Sequence, residues 1–285
     1  MSRLIVNADD FGLTSGVNRA ISELHTAGAV LSATLMARAS ATDEAIEIAR
    51  STPTLGVGCH IVLVDGAPVL PPDRIPSLID SRTGQFRNTL SAFLPRLLTG
   101  RIDASEIEAE SAAQIALLQN RGLELTHVDT HKHTHMFPGV LRAVLRAART
   151  AGIRMIRNPF EPAWASHATG RASLMRVAEI AVLRRLRPAC LRIIADAGFR
   201  TTDGTIAMAA TGVLDSATLS ALLGRLAPGT WELVTHPGYN DADLDRVRTR
   251  LRASRDRERE ALATLRQFPL VELISFRDLD EQRSN

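Results

Sequence analysis

The stretch His127-Val128-Asp129-Thr130-His131-Lys132-His133-Thr134-His135 sets four of the chain's eight histidines and one carboxylate on alternate positions. Alternation at period two places all five groups on one face of an extended strand. They cannot all hold one ion, because eight residues of strand span about 26 Å while metal–ligand bonds are about 2 Å long. One or two of these histidines can ligate, and further ligands must come from elsewhere. Candidates recur at the ends of predicted strands: Asp9 and Asp10, His60, His131 and His236. An Asp-His-His set suits one divalent ion with an open position, zinc or a harder metal such as magnesium. Such an ion polarises a carbonyl and lowers the pKa of water. A neighbouring carboxylate then serves as general base and a histidine from another strand as acid, roles that Asp9, Asp10 and His236 fit. The chemistry is hydrolysis, most naturally of an amide or ester.

Each residue also has a plain structural reading. An Asp-Asp pair after a strand is a turn and helix-cap device, and a lone strand histidine such as His60 is often a satisfied core residue. Thr235-His236-Pro237-Gly238-Tyr239 can be a simple turn. His25 and His167 receive no role. Cys59 faces away from His60 on the same strand and reads as packing.

The elements that must position these groups alternate. Leu4 to Ala8 reads as a buried strand, with Thr14 or Ser15 capping a helix to about Ala27. Ala29 to Met36 is a second strand, Thr42 or Asp43 starts a helix to Arg50, and Leu55 to Leu63 is a third strand. Proline-rich residues 65 to 88 form a long irregular excursion, the kind that serves as a lid or binding loop. Helices follow over Leu90 to Leu98 and Ala104 to Asn120, then the histidine strand, then a helix from Pro138 to Ala151. Ile153 to Arg157 is a strand, residues 160 to 200 are a largely helical insertion over the sheet, and Thr205 to Ala209 is a short strand. Asp215 caps a helix to Leu226, and Trp231 to Thr235 delivers His236. Asp243 to Leu265 is a solvated helix, and Val271 to Phe276 is the last strand. The alternation predicts an α/β fold on a parallel sheet. Residues 1 to 280 form a single domain with insertions at about 65–120 and 160–200, and 281 to 285 are a frayed tail.

The formal charge of +3 over 285 residues and the absence of a basic, aromatic-interleaved block exclude nucleic acid as an expected partner. Two cysteines, Cys59 and Cys190, make no disulfide framework, so a reducing cytoplasm is expected. No apolar run is long enough to cross a membrane.

The chain resembles the YdjC-like carbohydrate deacetylases, which include chitooligosaccharide deacetylases. The matching segments are Asn7-Ala-Asp-Asp-Phe-Gly-Leu13, Val57-Gly-Cys-His-Ile61, Thr126 to His135, Ile156-Arg-Asn-Pro159 and His236-Pro-Gly-Tyr239. Leu63 to Pro72, Ile75-Pro76 and Thr83-Gly-Gln-Phe86 look like the hopanoid-biosynthesis-associated branch; Cys59, where a leucine is usual, departs from it. The resemblance implies an irregular (β/α) TIM-like barrel, a homodimer and deacetylation of an N-acetylglucosaminyl hopanoid lipid. It implies Asp10, His60 and His131 as metal ligands and Asp9 as general base, with His236 the candidate acid. His131 with His135, four apart on a helical turn, is the competing ligand pair. His127 and Asp129 become support, His133 and His135 candidate sugar contacts, and Arg157 a residue that orients Asp9 or binds substrate; Tyr239 falls in the same group. A lipid-linked substrate brings the enzyme to a bilayer, for which Arg184-Arg185-Leu186-Arg187 and Arg192 offer a basic surface. The other readings of the histidine-rich edge are a metal-dependent phosphoesterase and a metal- or sugar-binding protein without catalysis.

Overall fold

The computed structural model describes residues 2–170, 172–268 and 271–279; the expected frayed tail at 281–285 lies outside them. The first strand, β1 (Ser2–Phe11), runs through the centre of a curled parallel sheet. Its apolar run Leu4-Ile5-Val6 and Ala8 is buried on both faces, as parallel strands covered by helices require. On one side lie β2 (Ser32–Leu35), β3 (Gly56–Ile61) and β6 (Val128–Thr130) in order, and on the other β8 (Gly229–Thr235) and β7 (Gly204–Ile206). A last strand, β9 (Val271–Ile274), pairs with Ser2–Ile5 along the half of β1 that lies before its pairing with β2. The sheet forms the half-barrel of an irregular TIM-like fold, with every pairing in it parallel.

Helices cover the outside. They are α1 (Ser15–Thr26), α2 (Thr42–Ser51), α3 (Leu90–Leu98), α4 (Ala104–Asn120), α5 (Pro138–Thr150), α6 (Ala163–Ala168), α7 (Leu174–Leu183), α8 (Arg187–Asp196), α9 (Ser216–Leu223), α10 (Ala242–Asp245) and α11 (Arg252–Ala263). Local chemistry sets several boundaries. The Thr14 hydroxyl accepts from Val17 N at 3.2 Å to cap α1, Asp103 and Asp215 cap α4 and α9, and Pro138 opens α5.

Four expectations are corrected. The histidine run is not one strand: β6 stops at Thr130, and Lys132 and His133 are left-handed at φ 56° and 52° within a tight 3-10 turn, His131–Met136. The Thr130 hydroxyl closes that turn by accepting from His135 N at 3.0 Å. The strand expected over 153–157 is reduced to two isolated bridges, Val128↔Ile156 and Met155↔Arg200, because its residues divide their backbone bonds between Val128 on one side and Arg200 on the other. The single helix expected from Asp243 to Leu265 is two, since Arg252 turns back to donate to Asp245 O at 2.6 Å and so satisfies the end of α10. The excursion after β3 is not wholly irregular. It holds an antiparallel pair, β4 (Ile79–Asp80) and β5 (Gln85–Phe86), and α4 pins it with Glu106, Glu110 and Gln114, one turn apart. Glu106 accepts from Ser77 N, Glu110 from Val69 N and Leu70 N, and Gln114 from Val62 N, at 2.8 to 2.9 Å.

Candidate active site

Successive strand residues face opposite ways, yet Asp9 and Asp10 both line the same cavity. The backbone resolves this. Asp10 is left-handed at φ 63°, and the β1–β2 register shifts between Ala8 and Phe11, so a bulge re-aims the second carboxylate. Five non-glycine residues among those described have positive φ: Asp10, Asp65, Lys132, His133 and Ala207. The first four line the cavity and the fifth precedes Met208, which also does. Backbone strain is concentrated around this cavity.

The strand ends bring Asp10, His60 and His131 together. Asp10 Oδ1 lies 3.6 Å from His60 Nε2 and 3.4 Å from His131 Nδ1, and the two ring nitrogens are 3.2 Å apart. A tetrahedral ion with bonds near 2.0–2.1 Å separates its ligands by about 3.4 Å, so the trio fits such an ion without rearrangement. Asp129 Oδ1 accepts from His60 Nδ1 at 2.7 Å, which leaves the Nε2 lone pair directed to the other two donors. The second oxygen of Asp10 is taken by Arg255, at 2.5 Å.

Beneath the trio is a buried ionic knot around Arg157. Its NH1 and NH2 donate to Asp9 Oδ2 and Oδ1 at 2.8 and 2.6 Å, its Nε donates to Glu232 Oε1 at 2.8 Å, and NH1 also meets Asp129. Arg157 is fully buried and does not line the cavity, so of its two expected roles the geometry chooses the orientation of Asp9. Asn7 Nδ2 adds a bond to Asp9 Oδ1 at 2.9 Å. Burial pushes the Asp9 carboxyl up, but Arg157, with His60 and His236, outweighs it and holds the group well below the usual carboxylate range. Burial likewise raises Glu232, which Arg157 only partly offsets, leaving it at about 7.

His236 follows β8 and stands 3.9 Å from Asp9 through Nε2 and 3.8 Å from Glu258 through Nδ1. Burial lowers its pKa, but Glu258, Asp9 and Asp10 together raise it above the ordinary histidine value. His127 is neutral and buried, stacked on Phe276 at 3.8 Å and bonded to Asn7 Oδ1 at 3.2 Å, so it supports Asp9 through Asn7. His133 lines the cavity, whereas His135 is buried against Thr130 at 2.7 Å and does not. Tyr239 lies outside the cavity, its ring between the Arg19 and Arg259 guanidinium groups and its hydroxyl donating to Glu23 at 2.5 Å.

Sequence reasoning missed Arg255, Glu258 and Glu232. The first two stand on α11, within the segment expected to be solvated, yet both are buried. A signal existed: Leu251, Arg255, Glu258 and Leu262 share one helical stripe, so the charges ride on an apolar face. Glu232 shares its strand face with Val234 and His236 by period two.

The cavity holds about 600 Å³, ample for a small ligand. Lys132, the chain's only lysine, bridges the turn after β6 to Asp65 of the excursion at 2.6 Å on its wall. A parallel α/β half-barrel with an Asp-His-His trio and an arginine-tethered aspartate at its strand ends defines a class of barrel proteins whose site can hold a divalent ion beside a carboxylate. The profile of a family described as YdjC-like protein matches residues 3–267, and the chain belongs to that family. It is 43% identical over 146 residues to a "Carbohydrate deacetylase" of Brevibacillus brevis, a match spanning 51% of this chain and about half, 55%, of the relative. A second "Carbohydrate deacetylase", from Thermoanaerobacter pseudethanolicus, is 29% identical over 92% of this chain and 91% of its own length. A crystal structure of a protein proposed to be a cellobiose-phosphate cleavage protein, from Enterococcus faecalis V583, superposes with a TM-score of 0.75 at 27% identity, covering 98% of each chain.

Proposed function

We propose that this protein hydrolyses the acetamide of an N-acetylated amino sugar, releasing acetate and the free amine. The observation that carries the reading is the trio of Asp10, His60 and His131 at ligand spacing beside an aspartate that Arg157 keeps ionised. The names of the relatives support a carbohydrate as the acyl carrier. Two imidazoles and one carboxylate oxygen suit zinc better than magnesium. When bound, such an ion supplies a Lewis acid that polarises the amide carbonyl and lowers the pKa of water.

The chain's own residues supply the rest. Asp9, ionised and locked in orientation, keeps lone pairs free beyond its bonds to Arg157 and takes a proton from the attacking water. As the water oxygen bonds to the acetyl carbon, the carbon–nitrogen bond breaks and protonated His236 gives its proton to the departing amine. His133 lines the cavity, which supports it as a sugar contact.

The finer reading is an N-acetylglucosaminyl hopanoid lipid, with a chitooligosaccharide as the alternative. Apolar side chains in the cavity lining, among them Leu13, Met36, Leu90, Leu183, Met208 and Leu251, support an amphiphilic substrate. A single catalytic unit over residues 1–280, working as a cytoplasmic homodimer, belongs to the same reading. Acetate release by the purified, metal-loaded protein is measured on N-acetylglucosaminyl bacteriohopanetetrol and on diacetylchitobiose side by side. Release from the lipid alone supports the hopanoid reading, release from chitobiose alone replaces it, and release from neither overturns the deacetylase. Asp9→Asn should keep the metal, by elemental analysis, and lose turnover by about a hundredfold or more; full activity would remove Asp9 from the mechanism.

A further inference from the structure

The large apolar side chains most exposed among the described residues are Leu174 (89%), Met175 (82%), Leu98 (73%) and Val182 (59%). Three of the four share one helix. Leu174, Met175 and Val182 lie on α7, which lines the cavity through Arg176, Glu179 and Leu183, while Leu98 ends α3, at the far end from the Leu90 and Ser91 that line it. On α7 the exposed residues are Leu174, Met175, Ala178, Glu179 and Val182, with Arg185 continuing the stripe, a three–four spacing that leaves one apolar face without a partner. Only Ile180 of this helix is buried. An apolar cluster of this kind at the edge of a cavity calls for an occupant.

Charge identifies it. Residues 172 to 195 carry five arginines against one glutamate, a surplus of four that exceeds the +3 of the whole chain. Arg176 pairs with Glu179 and Arg187 donates to Asp203 O, but the guanidinium groups of Arg184, Arg185 and Arg192 have no hydrogen bond or ion pair among the described residues. A second copy of this chain docked by a two-fold axis would set the same arginines against themselves, at a repulsive cost. An anionic bilayer satisfies both features, with acyl chains for Leu174, Met175 and Val182 and headgroups for the arginines.

We propose that α7, with the start of α8, is an interfacial docking face that seats the cavity mouth on an anionic lipid bilayer. The face deepens the reading of an amphiphilic substrate and rests on that reading for its purpose only. Vesicle binding is measured without turnover, so either can fail alone. The full-length protein is floated with vesicles of phosphatidylglycerol and phosphatidylcholine in equal parts, and with phosphatidylcholine alone. The expected result is flotation with the anionic vesicles, weakened by salt, and weakened about tenfold or more by the pair Met175→Asp and Val182→Asp. Arg185→Glu, a single exposed change that leaves the apolar face intact, should also weaken flotation while acetate release from a soluble sugar is unchanged. A wild-type protein that stays in the buffer overturns the proposal. So does a dimer in analytical ultracentrifugation that the paired substitution dissociates while flotation persists, since the face would then belong to a second copy.

Discussion

Between Asp9 and Asp10 the backbone passes from extended to left-handed, and the two carboxylates acquire different partners. Asp9 meets Arg157 with both oxygens, while Asp10 gives one oxygen to Arg255 and presents the other to His60 and His131. His236 has a comparable division, with one nitrogen toward Asp9 and the other toward Glu258. An acid must be protonated to act, so activity that depends on His236 falls as pH rises through its pKa. Glu258, Asp9 and Asp10 raise that pKa against the effect of burial, which extends activity to higher pH. Glu258→Gln removes one of these charges and should move the basic limb of the kcat/KM profile to lower pH. A limb that does not move would mean that another group donates the proton.

At the scale of elements, two contacts show how the site is held from behind. In β3, a Cβ on Gly58 would come within 2.6 Å of the His127 ring, which is stacked on Phe276 and bonded to Asn7. Gly58→Ala should destabilise the protein by about 1–3 kcal/mol in urea denaturation, through overpacking, and lower kcat by displacing Asn7 and hence Asp9. On α4, Glu110 supplies both oxygens to backbone N–H groups of the excursion. Glu110→Ala leaves these donors without acceptors, at about 1–3 kcal/mol, and should speed hydrogen exchange at Val69 and Leu70 in the absence of denaturant by more than it speeds that of β1. Unaltered exchange at those two amides would mean that the excursion holds its shape without α4.

For the whole molecule, the three donor residues come from β1, β3 and the turn after β6, which tie together distant parts of the chain. An ion bound only by the folded state stabilises it by about 2.7 kcal/mol at a hundredfold excess over its dissociation constant. Zinc should therefore raise the melting temperature by several degrees, a chelator should reverse the shift, and His60→Ala should abolish it. A shift that persists in His60→Ala would place the ion elsewhere. No helix among the described residues is long and apolar enough to cross a membrane.

The strand–helix alternation, the clustering of Asp and His at strand ends, and the caps at Thr14 (with Ser15 as its alternative) and Asp215 were readable along the chain, because each depends on residues a few positions apart. The histidine run misled for the same reason. Period two is a local signal, and it cannot report that Thr130 will close a left-handed turn and send His131 to the cavity and His135 into the core. Arg255 and Asp10 are 245 positions apart, and Arg157 and Asp9 are 148 apart. No local pattern couples such pairs; only the curled sheet brings them within hydrogen-bonding distance. The sequence by itself determined the type of fold and the chemical kinds of group at its edge. The tertiary structure decided which oxygen, which ring nitrogen and which guanidinium meet, because those choices depend on the bulge in β1 and on the burial that makes an unpaired charge costly.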